Sequence, residues 1–185
     1  LEKARSIIRK DGGVSGTLRI SNVATELARD HNVFQDDDVR SAFFEKLDAR
    51  MDKTGPEEST LKLLKDFVRS GFRLGMVTFV RKQRITRRLD KWKLQQYFNS
   101  VITPDDEPEF KPSPRPFVSA MGQLKVRAAE CFVIGDEPVD MIGGKRAGTR
   151  TIGLPQGFFS REELERAGAD YIVPSLDHLP SVVAK

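Results

Sequence analysis

The chain reads as an α/β protein: a mainly parallel sheet covered by helices on both faces, with a helical segment in front of it. Three observations predict this. From residue 57 onward, short apolar runs alternate with amphipathic stretches of helical period over short connections, the pattern of βαβ units. Before residue 54 the apolar spacing is helical and no convincing strand stands out. Between the two lies Lys53-Thr54-Gly55-Pro56, where Gly and Pro interrupt regular structure. A length of 185 residues accommodates one good-sized domain with a small appendage. We therefore expect a helical segment over 1–53 and an α/β core over 54–185.

Taken in order, Leu1, Ala4, Ile7 and Ile8 share a helical face that breaks at Asp11-Gly12-Gly13. Ser21 can cap a helix carrying Val23, Ala24, Leu27 and Ala28. Asp36-Asp37-Asp38 suits the first turn of a third helix with Val39, Phe43, Phe44 and Leu47, because carboxylates there meet the positive end of the dipole. In the second part we expect a helix from Glu57 to Ser70 ended by Gly71, and a strand from Arg73 to Thr78. A helix from Arg84 to Phe98 and a strand over Val101-Ile102-Thr103 follow. Next come a helix from Arg115 to Leu124, a strand from Cys131 to Ile134, a helix from Asp140 to Ala147 and a strand from Thr151 to Leu154. A helix from Arg161 to Ala167, a strand over Tyr171-Ile172-Val173 and a short helix within Ser175 to Val183 close the chain.

Bulk properties exclude several classes. Hydrophobic residues make up 38% and charged residues 31%, which is not a disordered profile. No apolar run approaches the ~20 residues that span a bilayer, so no membrane partner is expected. No signal-peptide pattern is present, and the lone Cys131, read as a buried strand residue, has no internal disulfide partner; a cytoplasmic setting is the expectation. The net charge of +4 permits attraction to anions without naming one. Arg81, Lys82, Arg84, Arg87, Arg88, Lys91 and Lys93 crowd one helix, read as a solvated face rather than a nucleic-acid surface, since interleaved aromatics are few. His31 and His178 lack partners at zinc-ligand spacing. Gly143-Gly144 sits inside a helical run, where it allows close packing.

Four features fall at strand ends, where open α/β sheets bind ligands. Thr78, with the backbone of Phe79 after it, offers a hydroxyl and amides to phosphate oxygens. Lys111 can neutralise a phosphoryl group. Asp136 and Asp140 suit a hard divalent cation such as Mg²⁺. Each feature alone has a plainer reading: a β-forming Thr, a loop Lys, carboxylates that cap the next helix.

Together, Thr78 behind its strand, Lys111-Pro112-Ser113-Pro114-Arg115-Pro116-Phe117, and Gly135-Asp136-Glu137-Pro138-Val139-Asp140 with Ala147-Gly148 resemble three motifs of the haloacid dehalogenase superfamily. The resemblance covers about residues 57 to 175. It implies a Rossmann-like three-layer core, a helical cap over 1–53 that selects substrate, and Mg²⁺-dependent phosphatase chemistry on a small phosphorylated metabolite through an aspartyl-phosphate. It also implies roles. Thr78 and Phe79 bind phosphate, Lys111 steadies phosphate and nucleophile, Asp136 holds the metal, and Asp140 supports the metal or orients Lys111. The first motif of the family, a strand ending in Asp-x-Asp-Gly-Thr, has no counterpart. Gly13-Val14-Ser15-Gly16-Thr17-Leu18 is the nearest string, with Gly13 and Ser15 in place of the carboxylates. The expectation is that the nucleophile strand precedes Leu1; the alternative is a catalytically inactive phosphate-binding module or one that contacts protein or RNA. In the family this strand is central, between those ending at Thr78 and Ile134.

Overall fold

The computed structural model describes residues 55–156 and 159–183. The chain divides into two compact units, residues 1–56 and 57–185, and nearly all of the described residues belong to the second. The expectations for residues 1–53, including the cap helices, the Gly13–Leu18 string, His31 and Asp36–Asp38, lie outside the described residues.

Helix α1, Glu58–Arg69, ends where Gly71 takes φ 84°, a left-handed conformation that costs glycine nothing. The amides of Gly71 and Phe72 then close back on the carbonyls of Val68 and Phe67, each at 3.0 Å. Strand β1 is Leu74–Val77, helix α2 Lys82–Lys91, strand β2 Phe98–Ile102 and helix α3 Arg115–Leu124. Strand β3, Phe132–Gly135, leads into helix α4, Pro138–Arg146, and strand β4, Arg150–Gly153. Helix α5, Arg161–Arg166, strand β5, Tyr171–Ile172, and helix α6, Leu179–Val183, complete the unit. Proline opens α4 at a position where no backbone donor is needed, and Ser160 caps α5 by accepting from the Glu163 amide.

Two expectations are corrected. The helix predicted to run to Phe98 stops at Lys91. Lys93 adopts φ 56°, the Leu94 amide folds back to the Leu89 carbonyl at 2.7 Å, Gln95–Tyr97 forms a 3₁₀ turn, and Phe98 opens β2. Trp92, Tyr97 and Phe98 still join one apolar cluster with Ile85 and Leu89, so burial continues through a change of backbone and the period misleads. Cys131 lies just before β3, half-buried, with its thiol donating to the Arg127 carbonyl at 3.2 Å; burial, and then the Glu130 charge, push the thiol pKa up.

Among the described residues all strand pairings are parallel. β1 pairs with β2, setting Val77 opposite Ile102, and β3, β4 and β5 follow in order, setting Gly135 opposite Gly153. Alternation along the strands sorts the helices into two layers. Met76 packs with Leu61, Leu64 and Ile85, whereas Gly75 faces Ala120 and Leu124 of α3. Phe132 and Ile152 pack with Leu63, Phe67 and Leu179, whereas Val133 faces Gly144 of α4 and Gly153 faces Leu164 of α5. One layer is therefore α1, α2 and α6, the other α3, α4 and α5. α1 spans both sheet pieces from one side, with Leu61 and Leu64 on the first and Leu63 and Phe67 on the second.

Among the described residues β1 and β3 each pair along one edge only. A cavity of about 580 Å³ is lined by Leu74, Gly75 and Val77 on one side and by Phe132, Val133 and Ile134 on the other. Leu124 of α3 and Phe67 of α1 also line it. It thus occupies the middle layer, between the two sheet pieces.

Candidate active site

Parallel pairing brings the C-terminal ends of the strands to one edge of the sheet, and the loops leaving that edge carry the polar side chains. Thr78 stands directly after β1. Its amide donates to the Ile102 carbonyl at 3.0 Å, continuing the ladder by one bond. Its Oγ1 accepts from the Val80 amide at 3.2 Å. A hydroxyl that accepts in this way keeps its own hydrogen for donation outward.

The far end of that loop is tied to the loop after β2. The Lys82 amide donates to Asp105 Oδ2 at 2.8 Å, Arg81 pairs with the same carboxylate, and Lys82 Nζ meets Asp106 Oδ1 at 2.5 Å. Asp106 also accepts from the amide and hydroxyl of Thr103, at 3.1 and 2.8 Å. The Lys82 amide, and then the Arg81 guanidinium, hold the Asp105 carboxyl below its ordinary range. For Asp106, burial pulls upward, but the Lys82 and Thr103 hydrogen bonds outweigh it and the pKa is lowered. The basic cluster is for the most part the solvated face expected, with Arg81, Lys82, Arg87, Lys91 and Lys93 exposed; in addition Arg81 and Lys82 bridge two loops, and Arg88 is buried.

Lys111 reaches the same edge from the loop before α3. Its side chain is 7% exposed, and Nζ donates to Asp140 Oδ1 at 2.7 Å and, at 3.5 Å, toward the carbonyl of Val77, the residue before Thr78. Asp140, 10% exposed, stands in the first turn of α4, and its Oδ2 accepts from the Glu137 amide at 3.3 Å. The helix-capping reading of Asp140 is therefore correct as far as it goes, and the Lys111 pair adds to it. Gly135, ending β3, makes room for this: a Cβ there would lie 2.4 Å from Asp140 Oδ2. Asp136 follows Gly135 and is exposed at that edge.

The structure thus gathers Thr78, Phe79, Lys111 and Asp140, and it places Asp136 in the loop that leads to Asp140. The sequence reading passed over Asp105 and Asp106 as loop residues. The available signal was the basic pair Arg81-Lys82, where the loop after β1 enters α2. It also passed over Phe110, whose ring packs against Phe79. Among the described residues no group of three or more His, Cys, Asp or Glu side chains converges as a metal cage.

A family model described as haloacid dehalogenase-like hydrolase matches residues 18–154. The chain belongs to the haloacid dehalogenase-like hydrolase family. One relative, pyrophosphatase PpaX of Bacillus mycoides (strain KBAB4), is 29% identical over 128 residues, covering 69% of this chain and 60% of that protein. The chain therefore spans about 60% of the length of this curated relative. Among solved structures, a haloacid dehalogenase family hydrolase of Deinococcus radiodurans R1 with bound phosphate and sodium superposes with a TM-score of 0.75 at 20% identity. It covers 97% of this chain and 85% of that one. A hydrolase of Pseudomonas syringae gives 0.67 at 23%, covering 97% and 90%. These likenesses carry the fold, and the three-layer α/β architecture of this haloacid dehalogenase-like chain agrees with it.

Proposed function

We propose that the protein is a divalent-metal-dependent, specifically Mg²⁺-dependent, phosphohydrolase of a small phosphorylated metabolite, working through an aspartyl-phosphate. The observation that carries the reading is the buried Lys111–Asp140 pair set against the backbone just before Thr78. A buried ammonium beside an outward-donating hydroxyl suits phosphoryl oxygens, which need charge neutralisation and fixed donors. Thr78 Oγ1 would donate to one oxygen and the Phe79 amide to another. Lys111 would neutralise charge as it develops.

The fit to a metal follows from charge. Lys111 contributes one positive charge, and Asp136 and Asp140 one negative charge each, so these residues alone sum to one negative charge and would repel phosphate. A divalent cation reverses the sign. Mg²⁺ is commonly held by only one or two protein carboxylates, with phosphate and water completing the shell. Asp136 is the carboxylate for this role. Asp140 spends one oxygen on Lys111 and the other on the Glu137 amide, so we assign it to orienting Lys111 rather than to the metal. When bound, the cation would supply charge stabilisation to the phosphoryl group.

The nucleophile carboxylate would sit on a strand between β1 and β3, in the cavity that both line. On the facing edges of β1 and β3 no described strand pairs with the backbone, and those groups are a reason for a strand to enter. The carboxylate oxygen would attack phosphorus, the bond to the leaving oxygen would break, and that oxygen would take a proton from water; a water molecule would then cleave the acyl phosphate, releasing inorganic phosphate and restoring the carboxylate. Residues 1–53 would act as the cap. Full-length protein should hydrolyse phosphomonoesters with Mg²⁺ and form a beryllofluoride adduct; no turnover over a broad substrate panel and no adduct would overturn the catalytic reading. Asp136→Asn should weaken Mg²⁺ binding at least tenfold, and unchanged affinity would remove its metal role.

A further inference from the structure

Lys111 has a third neighbour. Its Nζ lies 4.7 Å from the ring centroid of Phe79, and that ring packs edge-to-face on Phe110 with centroids 4.8 Å apart at 63°. An ammonium has three N–H groups. One goes to Asp140, one points at the Val77 carbonyl, and the Phe79 face supplies a π surface that attracts a cation without accepting a conventional hydrogen bond. Phe79 directly follows Thr78 and Phe110 directly precedes Lys111, so the two rings join the β1 loop to the lysine loop at the ammonium itself.

We infer that Phe79, buttressed by Phe110, is a positioning residue that keeps the Lys111 ammonium dry and aimed at the phosphoryl site. The inference rests on the phosphate reading of that site. A dry wall lowers the local dielectric and strengthens the pull of the ammonium on an anion. A side chain of similar bulk without a π face would fill the space but lose the attraction. A tyrosine would keep both.

The test uses the 185-residue chain with Mg²⁺ present throughout, inorganic phosphate as the probe, and nuclear magnetic resonance of its lysine side chains. The ε-methylene protons of Lys111 should resonate upfield, shifted by the Phe79 ring current. Phe79→Leu should abolish that shift and weaken phosphate binding about fivefold, within the range of a single cation–π contact. Phe79→Tyr should restore both, and Phe110→Leu should reduce both partially. Equal loss of affinity in the Leu and Tyr variants would show a merely structural role and overturn the inference. So would unchanged affinity in Phe79→Leu, or a Lys111 signal without the shift. Failure of the unaltered chain to bind phosphate, with the shift present, would instead overturn the phosphate reading and this inference with it.

Discussion

Replacing Asp140 by Asn leaves shape intact and removes one charge from a pair whose side chains are 7% and 10% exposed. Breaking a buried ion pair from one side costs about 3–5 kcal/mol, because the remaining charge stays desolvated. Asn can still accept one hydrogen bond from Lys111 Nζ, which returns about 1 kcal/mol. The expected loss is therefore about 2–4 kcal/mol, a large share of the ~5–15 kcal/mol that holds a domain together. For a chain of this length that corresponds to a fall in Tm on the order of 10 °C. Lys111→Met should cost less, since the abandoned carboxylate keeps the Glu137 amide and the positive end of the α4 dipole. The double variant should be more stable than the sum of the singles by about 1–3 kcal/mol. Urea denaturation of the four proteins, followed by the fluorescence of the single tryptophan, Trp92, measures this. Singles that add to the double within about 0.5 kcal/mol would refute the idea that the two side chains are energetically coupled.

Two glycines separate site from scaffold. Gly135→Ala would press its methyl on the Asp140 carboxylate and should disturb the Lys111 pair, destabilising by about 1–3 kcal/mol and weakening phosphate binding. Gly144→Ala would bring a methyl 2.8 Å from Thr151 Cγ2 and 2.9 Å from Val133 Cβ, lifting α4 from the sheet. It should lower stability on the same scale, softened by the better helix propensity of alanine, by about 1 kcal/mol, and leave phosphate affinity in the folded protein unchanged. Acid should destabilise the protein. Asp105, Asp106 and Asp170 have pKa values lowered on folding, and Glu130, held by its Arg127 hydrogen bonds, falls to about 2. Lowered values mean that the unfolded chain takes up protons first. The stability these groups add is full above about pH 5 and is lost as the pH falls toward the folded values. Asp105→Asn should flatten the upper part of a stability–pH curve, and an unaltered curve would remove Asp105 from the account.

Much of the core was legible from residue patterns. The βαβ alternation, the Gly71 stop, the helix from Arg115 to Leu124 and the Gly135–Asp140 loop all follow from local rules, in which neighbours along the chain decide the backbone. The end of α2 did not. Trp92 and Tyr97 continue an apolar spacing, and only the packing of Phe98 into the sheet shows that the helix has already stopped. The role of Asp140 was open for the same kind of reason: spacing placed it four residues after Asp136 but was silent on which partner its oxygens would meet.

By itself the sequence determined the residue types available at the strand ends, a hydroxyl, an ammonium and two carboxylates, because chain order and strand-end punctuation are local properties. Tertiary structure alone decided which of them touch. Lys111 lies 29 residues from Asp140 and 34 from Val77. Only parallel pairing of β1 with β2 and of β3 with β4, with α3 and α4 packed on one face, brings these loops to a common edge. Contacts across such separations depend on the closure of the whole core, and no window of sequence contains that information.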